Sequence, residues 1–119
     1  MNDLNPNNSI ITMETVPIRF GVGASRELGF ELHKRNLSRI LLVTDPFLRE
    51  IGLADSIEVI IREAGVSVET YDRVHAEPTD RSMVEAVAFQ EGKEIDGYVA
   101  LGGGSSIDTA KAMNLYGTY

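Results

Sequence analysis

The apolar run Tyr98-Val99-Ala100-Leu101, met at once by Gly102-Gly103-Gly104-Ser105, constrains the fold of this chain more than any other stretch. A short apolar run of this kind suits a buried strand. Beyond the glycines, Ala110, Ala112, Met113 and Leu115 continue in a helix-like pattern. The order is strand, glycine turn, helix N-terminus. Bare glycines let a backbone approach a ligand closely, and the free N–H groups and dipole of a helix start favour negative charge. The stretch therefore implies a phosphorylated ligand, a nucleotide foremost.

The turn matches neither of two common phosphate-binding signatures. No Gly-Lys-Ser/Thr follows at P-loop spacing, and the glycines do not form G-x-G-x-x-G. The hydroxyls of Ser105 and Ser106 fit helix capping, and either could donate to a phosphate. Asp108 lies in the first helical turn. There it complements the dipole, or makes a polar contact near the reactive end of a ligand. Lys111, two turns in, is either solvated or a contact to phosphate or substrate.

Upstream, strand-like and helix-like segments alternate. Residues 10–19 read as an entering strand. Residues 24–35 read as a helix with Ala24, Leu28 and Leu32 on one face and Ser25 as a cap. Residues 39–44 form a short buried strand ended by Asp45-Pro46. Leu53, Ile57, Ile60, Ile61 and Ala64 mark an amphipathic helix closed by Gly65. Residues 66–71 alternate as a strand, and 73–79 form a loop. Asp80 or Ser82 caps the next helix, whose apolar stripe is Val84, Val87 and Ala88. Residues 97–101 are the third core strand, and 105–116 the last helix. The alternation implies an α/β class with a parallel sheet and helices on both faces.

Ligands of such sheets sit at the carboxyl ends of the strands. Asp45 and Gly102 both follow strands directly. Asp45 could accept hydrogen bonds from an adenosine ribose, favouring NAD over NADP, or merely open a turn. Phe47 could pack near the adenine or fill the loop base. Glu77-Pro78-Thr79 could line the cofactor cleft or form a rigid turn into the next helix. Gly21-Val22-Gly23, with an acidic residue some way beyond, imitates the ordinary dinucleotide motif. Arg26 stands at the third glycine position, so these glycines are assigned to a turn.

The formal net charge of −7 argues against nucleic acid as a partner. With no cysteine there is no disulfide, no cysteine-based zinc site and no thiol nucleophile. No apolar run approaches the ~20 residues of a membrane span. Residues 1–9 are polar and asparagine-rich, lack a signal-peptide pattern, and read as a disordered leader before one domain over 10–119. Cytoplasm is the default compartment, with the mitochondrial matrix open if a transit peptide has been removed.

Gly-Gly-Gly-Ser-x-x-Asp-x-x-Lys over residues 102–111 resembles the cofactor-loop motif of the iron-containing alcohol dehydrogenases. Phe20-Gly21-Val22-Gly23, Leu42-Val43-Thr44-Asp45 and Glu77-Pro78-Thr79 extend the resemblance over residues 18–116. Val22-Gly23-Ala24-Ser25-Arg26-Glu27, Ala76-Glu77-Pro78-Thr79-Asp80 and Lys111-Ala112-Met113-Asn114-Leu115-Tyr116 look most like the hydroxyacid–oxoacid transhydrogenase branch. The resemblance implies a Rossmann-like, dehydroquinate-synthase-like N-terminal domain that binds NAD. It places Asp45 at the cofactor-choosing position, with Phe47, Pro78, Gly102, Gly103, Gly104, Ser105, Ser106 and Asp108 as cofactor-binding residues. It also implies iron or zinc, held by one aspartate and three histidines of a C-terminal helical domain that this chain lacks.

His33 and His75 form no ligand constellation and read as surface residues. No metal ligand and no catalytic residue is therefore assigned here, and the chain alone is expected to be inactive. The implied substrate is an alcohol, a hydroxy acid or an oxo acid, and the full-length enzyme is expected to be a homo-oligomer. Two other readings stay open. One is a glycerol-dehydrogenase- or dehydroquinate-synthase-like enzyme on the same scaffold. The other is a non-catalytic nucleotide-binding module.

Overall fold

The computed structural model describes residues 15–18 and 24–117, with side chains over 28–116. The leader, the Gly21-Val22-Gly23 turn and the cap at Ser25 lie outside the described residues or side chains. Among the described residues, four strands and five helices follow in the order β1 (Thr15–Ile18), α1 (Ala24–Arg35), β2 (Arg39–Val43), α2 (Pro46–Glu50), α3 (Leu53–Glu63), β3 (Ser67–Tyr71), α4 (Asp80–Phe89), β4 (Gly97–Leu101), α5 (Gly104–Gly117). All strand pairs are parallel, and the sheet order is β1-β4-β2-β3.

The two central strands show why the sheet needs cover on both faces. On β2, Ile40 and Leu42 enter one core while Leu41 and Val43 enter the other. On β4, Val99 and Leu101 join the first core, and Tyr98 and Ala100 the second. Alternate side chains leave a strand on opposite faces, so fully apolar strands bury only between two helical layers. The first core is closed by Leu28 and Leu32 of α1 and by Ala54, Ile57 and Ile61 of α3. The second is closed by Ala86 of α4 and by Ala110 and Met113 of α5. Leu28 and Leu32 therefore do what their spacing predicts, as do Ile57 and Ile61.

Helix α4 departs from its expected stripe. Val84 is 67% exposed and Ala88 is exposed, whereas Ser82 and Ala86 face inward. Small residues let the helix lie close to the sheet, and an apolar groove lined by Met83, Val84, Val87, Ala88, Ala112 and Tyr116 is left on the outside. The cap also differs from expectation. Thr79, not Asp80 or Ser82, is the N-cap: its hydroxyl accepts from the Ser82 N–H at 3.1 Å, and Ser82 Oγ accepts from the Thr79 N–H at 2.8 Å. This reciprocal pair is a capping box with serine in the usual glutamate place.

The second core holds one polar chain. Tyr98 Oη donates to Gln90 Oε1, and Gln90 Nε2 donates to the Met113 carbonyl, joining β4, the end of α4 and α5. Burial pushes the Tyr98 hydroxyl up to about 12.

Ala86→Leu should cost about 1–3 kcal/mol by overpacking the α4–sheet contact. Val84→Ser should change stability by no more than about 0.5 kcal/mol. Urea denaturation of the two variants checks this; equal losses would contradict the inward assignment of Ala86.

Candidate functional site

Sheet order decides where a cleft opens. From β2 the chain passes to helices on the first-core face; from β4 it passes to α5 on the second. Neighbouring strands whose connections leave to opposite faces open a crevice beyond their carboxyl ends. A cavity of about 510 Å³ lies there. Asp45, Pro46 and Phe47 line it from the end of β2, Gly103, Gly104, Ser105 and Ser106 from the turn after β4, and Val74, His75 and Ala76 from the loop after β3.

Thr44 fixes the floor. Its buried hydroxyl donates to the Leu101 carbonyl at 2.9 Å, joining the ends of β2 and β4. Its N–H donates to the Tyr71 carbonyl at 2.8 Å, and its own carbonyl accepts from the Val74 N–H at 3.1 Å. Asp45 then leaves the strand as the N-cap of α2, a short helix that Asp45-Pro46 opens instead of a plain turn. Asp45 Oδ1 accepts from the Leu48 N–H at 2.8 Å, and Pro46 takes the first helical position.

The three glycines of the turn differ. Gly102 has φ +132°, and a Cβ there would sit 2.8 Å from Ser106 Oγ. Its own geometry requires glycine. Gly103 and Gly104 have no left-handed φ, and a Cβ on either would meet nothing within 4 Å. Packing does not require glycine at these two positions. The N–H groups of Ser106 and Ile107 donate to the Gly103 carbonyl. Gly104 and Ser105, also in the first turn, have no intrahelical carbonyl to donate to.

Neither serine caps α5 as expected. Ser105 Oγ donates to the Ala76 carbonyl at 2.7 Å, tying the β3–α4 loop to the glycine turn, and Ser106 is buried. Phe47 stands 63% exposed at the rim. Pro78 and Asp108 are exposed and do not line the cavity, and Lys111 is exposed on α5. His75 was expected only as a surface residue; it is exposed but lines the cleft. Its signal was its place one short loop beyond a strand, at the carboxyl edge of the sheet.

Arg49 anchors α2. Its guanidinium donates to Glu58 and Asp72 at 2.9 Å each, and also to Asp55. Burial opposes ionisation of Glu58, but the hydrogen bonds from Arg49 and Thr70 outweigh it and hold the carboxyl below its ordinary value. Among the described residues, no three histidine, aspartate or glutamate side chains gather as a metal site.

A parallel sheet covered on both faces, with a glycine turn and a carboxylate at its strand ends, defines a Rossmann-like domain. A profile of the family described as iron-containing alcohol dehydrogenase matches residues 16–119, and the chain belongs to that family. It is 38% identical over 99 residues to the mitochondrial hydroxyacid-oxoacid transhydrogenase of Rattus norvegicus, covering 83% of this chain and 21% of that protein. The corresponding human protein is 37% identical over the same shares. Among solved structures, a 1,3-propanediol oxidoreductase is similar with a TM-score of 0.75 and 32% identity, over 87% of this chain and 27% of that one. The iron-containing alcohol dehydrogenase of Thermococcus thioreducens matches with a TM-score of 0.71 and 30% identity, over 85% and 26%. The chain thus spans about a fifth of the length of the curated relatives it matches.

Arg49→Met should destabilise the domain by about 1–2 kcal/mol near neutral pH. A carboxyl whose folded value is depressed contributes stability above its unfolded value, and loses it as pH falls through the folded one. The gap between wild type and variant should therefore narrow on acidification through the Glu58 transition. Denaturation midpoints measured against pH test this; a constant gap would mean that the Arg49–Glu58 pair contributes nothing.

Proposed function

We propose that this chain is the cofactor-binding part of an oxidoreductase, and that it holds NAD across the carboxyl ends of β4 and β2. The observation that carries the reading is glycine at 103 and 104, where the fold makes no demand for it. Both line the cleft, so the remaining reason for a bare backbone is close approach of a ligand. The Gly104 and Ser105 N–H groups, with the α5 dipole, would hold the pyrophosphate. Gly102 shapes the turn, and Ser106 packs beneath it. Asp45 would accept the ribose hydroxyls with the oxygen capacity left by its cap bond, and would repel the 2′-phosphate of NADP. Phe47 would pack beside the base. Pro78 stiffens the loop ahead of the Thr79 cap; Asp108, expected in the first turn of α5, lies just past it because the helix begins at Gly104, and is assigned no dipole role.

When bound, NAD supplies a hydride acceptor. The full-length protein would use it on an alcohol or hydroxy acid, and likeness to the transhydrogenases favours exchange with a 2-oxo acid. The iron or zinc that the family resemblance implies finds no fit among the described residues, so no step is assigned to it here. The chain alone would bind cofactor without turnover, and the full-length enzyme would be a homo-oligomer. Cytoplasm is the compartment proposed; the relatives are named mitochondrial, which favours the mitochondrial matrix as the second reading.

Calorimetric titration with NAD and NADP tests the site. Wild type should prefer NAD. Asp45→Asn keeps an N-cap while removing the charge, and should cut that preference about tenfold. An unchanged preference would remove Asp45 from the ribose site. Gly103→Ala and Gly104→Ala should leave stability within about 0.5 kcal/mol and weaken NAD about tenfold or more. If both variants bind NAD as wild type does, the glycine argument fails.

A further inference from the structure

We propose that Phe47 and His75 form the two sides of a base-stacking slot at the β3 end of the cleft, and that His75 sets the affinity for the adenine end of the cofactor. This inference rests on the NAD reading above. Sheet order gives it a direction. Strands β4, β2 and β3 lie side by side, and their ends carry in turn the glycine turn, Asp45 and His75. Neighbouring strands are roughly 4.8 Å apart. A dinucleotide with its pyrophosphate on the glycine turn and its ribose on Asp45 has already crossed from β4 to β2. The next group along it, the base, reaches the end of β3.

Two rings stand there. Val43 and Tyr71 are register partners on β2 and β3. Phe47 and His75 each follow one of them by the same four residues along the chain (43 to 47, 71 to 75). Both line the cavity and both are exposed. The backbone on either side of His75 is pinned, by Val74 N–H to the Thr44 carbonyl at 3.1 Å and by Ser105 Oγ to the Ala76 carbonyl at 2.7 Å. A side chain left free on an anchored backbone, lining the same cavity as an exposed phenyl ring, suits a flat ligand that stacks. Purine, with its large π-face, is that ligand.

Calorimetry of the 119-residue chain with ADP-ribose and with NAD tests the slot. His75→Ala should weaken both ligands about tenfold. His75→Phe, which keeps a flat ring, should bind within about twofold of wild type. His75→Lys, which supplies a cation without a ring, should behave like His75→Ala. Circular dichroism should show all three folded, since the side chain is exposed. The slot is overturned if His75→Ala binds ADP-ribose as wild type does, or if lysine rescues binding and phenylalanine does not. Should wild type bind neither ligand, the NAD reading itself falls; should wild type bind and only the His75 variants prove indifferent, the slot alone is lost.

Discussion

One threonine holds the working edge of this domain together. Thr44 is fully buried, yet three of its polar atoms are engaged, with Leu101, Tyr71 and Val74. Leu101 and Tyr71 end β4 and β3, Val74 lies in the loop after β3, and Thr44 itself directly follows β2. Everything assigned to the cleft hangs from this junction. Asp45 is the next residue along, Gly102 follows Leu101, and His75 follows Val74. A valine would fill the same space but leave the Leu101 carbonyl without the hydroxyl that reaches it, and a buried acceptor without a donor is costly. Below that point the sheet is a packing problem solved by apolar side chains. Above it, the chain is free to be chemical.

The glycine triplet shows how one short motif mixes two kinds of necessity. Gly102 is required by its own backbone angle and by Ser106 behind it. Gly103 and Gly104 are required by neither, and face the cleft. A motif reader sees three equal glycines. The structure divides them into one that makes the turn and two that leave it bare.

Much of the fold was legible because its long elements carry strong periods. Leu28 and Leu32 mark α1 and Ile57 and Ile61 mark α3, while the apolar runs mark β2 and β4 as buried strands. Three features escaped. Helix α2 is only five residues long, too short to show a period, and Asp45-Pro46 reads equally well as a turn or as a cap followed by a first-turn proline. The inward face of α4 is made by Ser82 and Ala86, which hydropathy ranks below the exposed Val84. The Thr79 cap uses serine where the usual signature has glutamate or glutamine. Of the site residues, those on the glycine turn and at Asp45 came from position beside a strand, which a sequence displays. His75 did not, because its place in the cleft depends on β3 lying next to β2, and strand order is written in no local pattern.

The chain of hydroxyl, amide and carbonyl through Tyr98, Gln90 and Met113 carries a consequence for how this domain drifts over evolutionary time. Tyr98→Phe alone strands the Gln90 oxygen, and Gln90→Leu alone strands the buried tyrosine hydroxyl. Each single step is a descent, while the paired exchange to two apolar side chains, with the Met113 carbonyl still bonded within α5, is closer to level ground. The two positions are therefore coupled, and a lineage that changes one is under pressure to change the other.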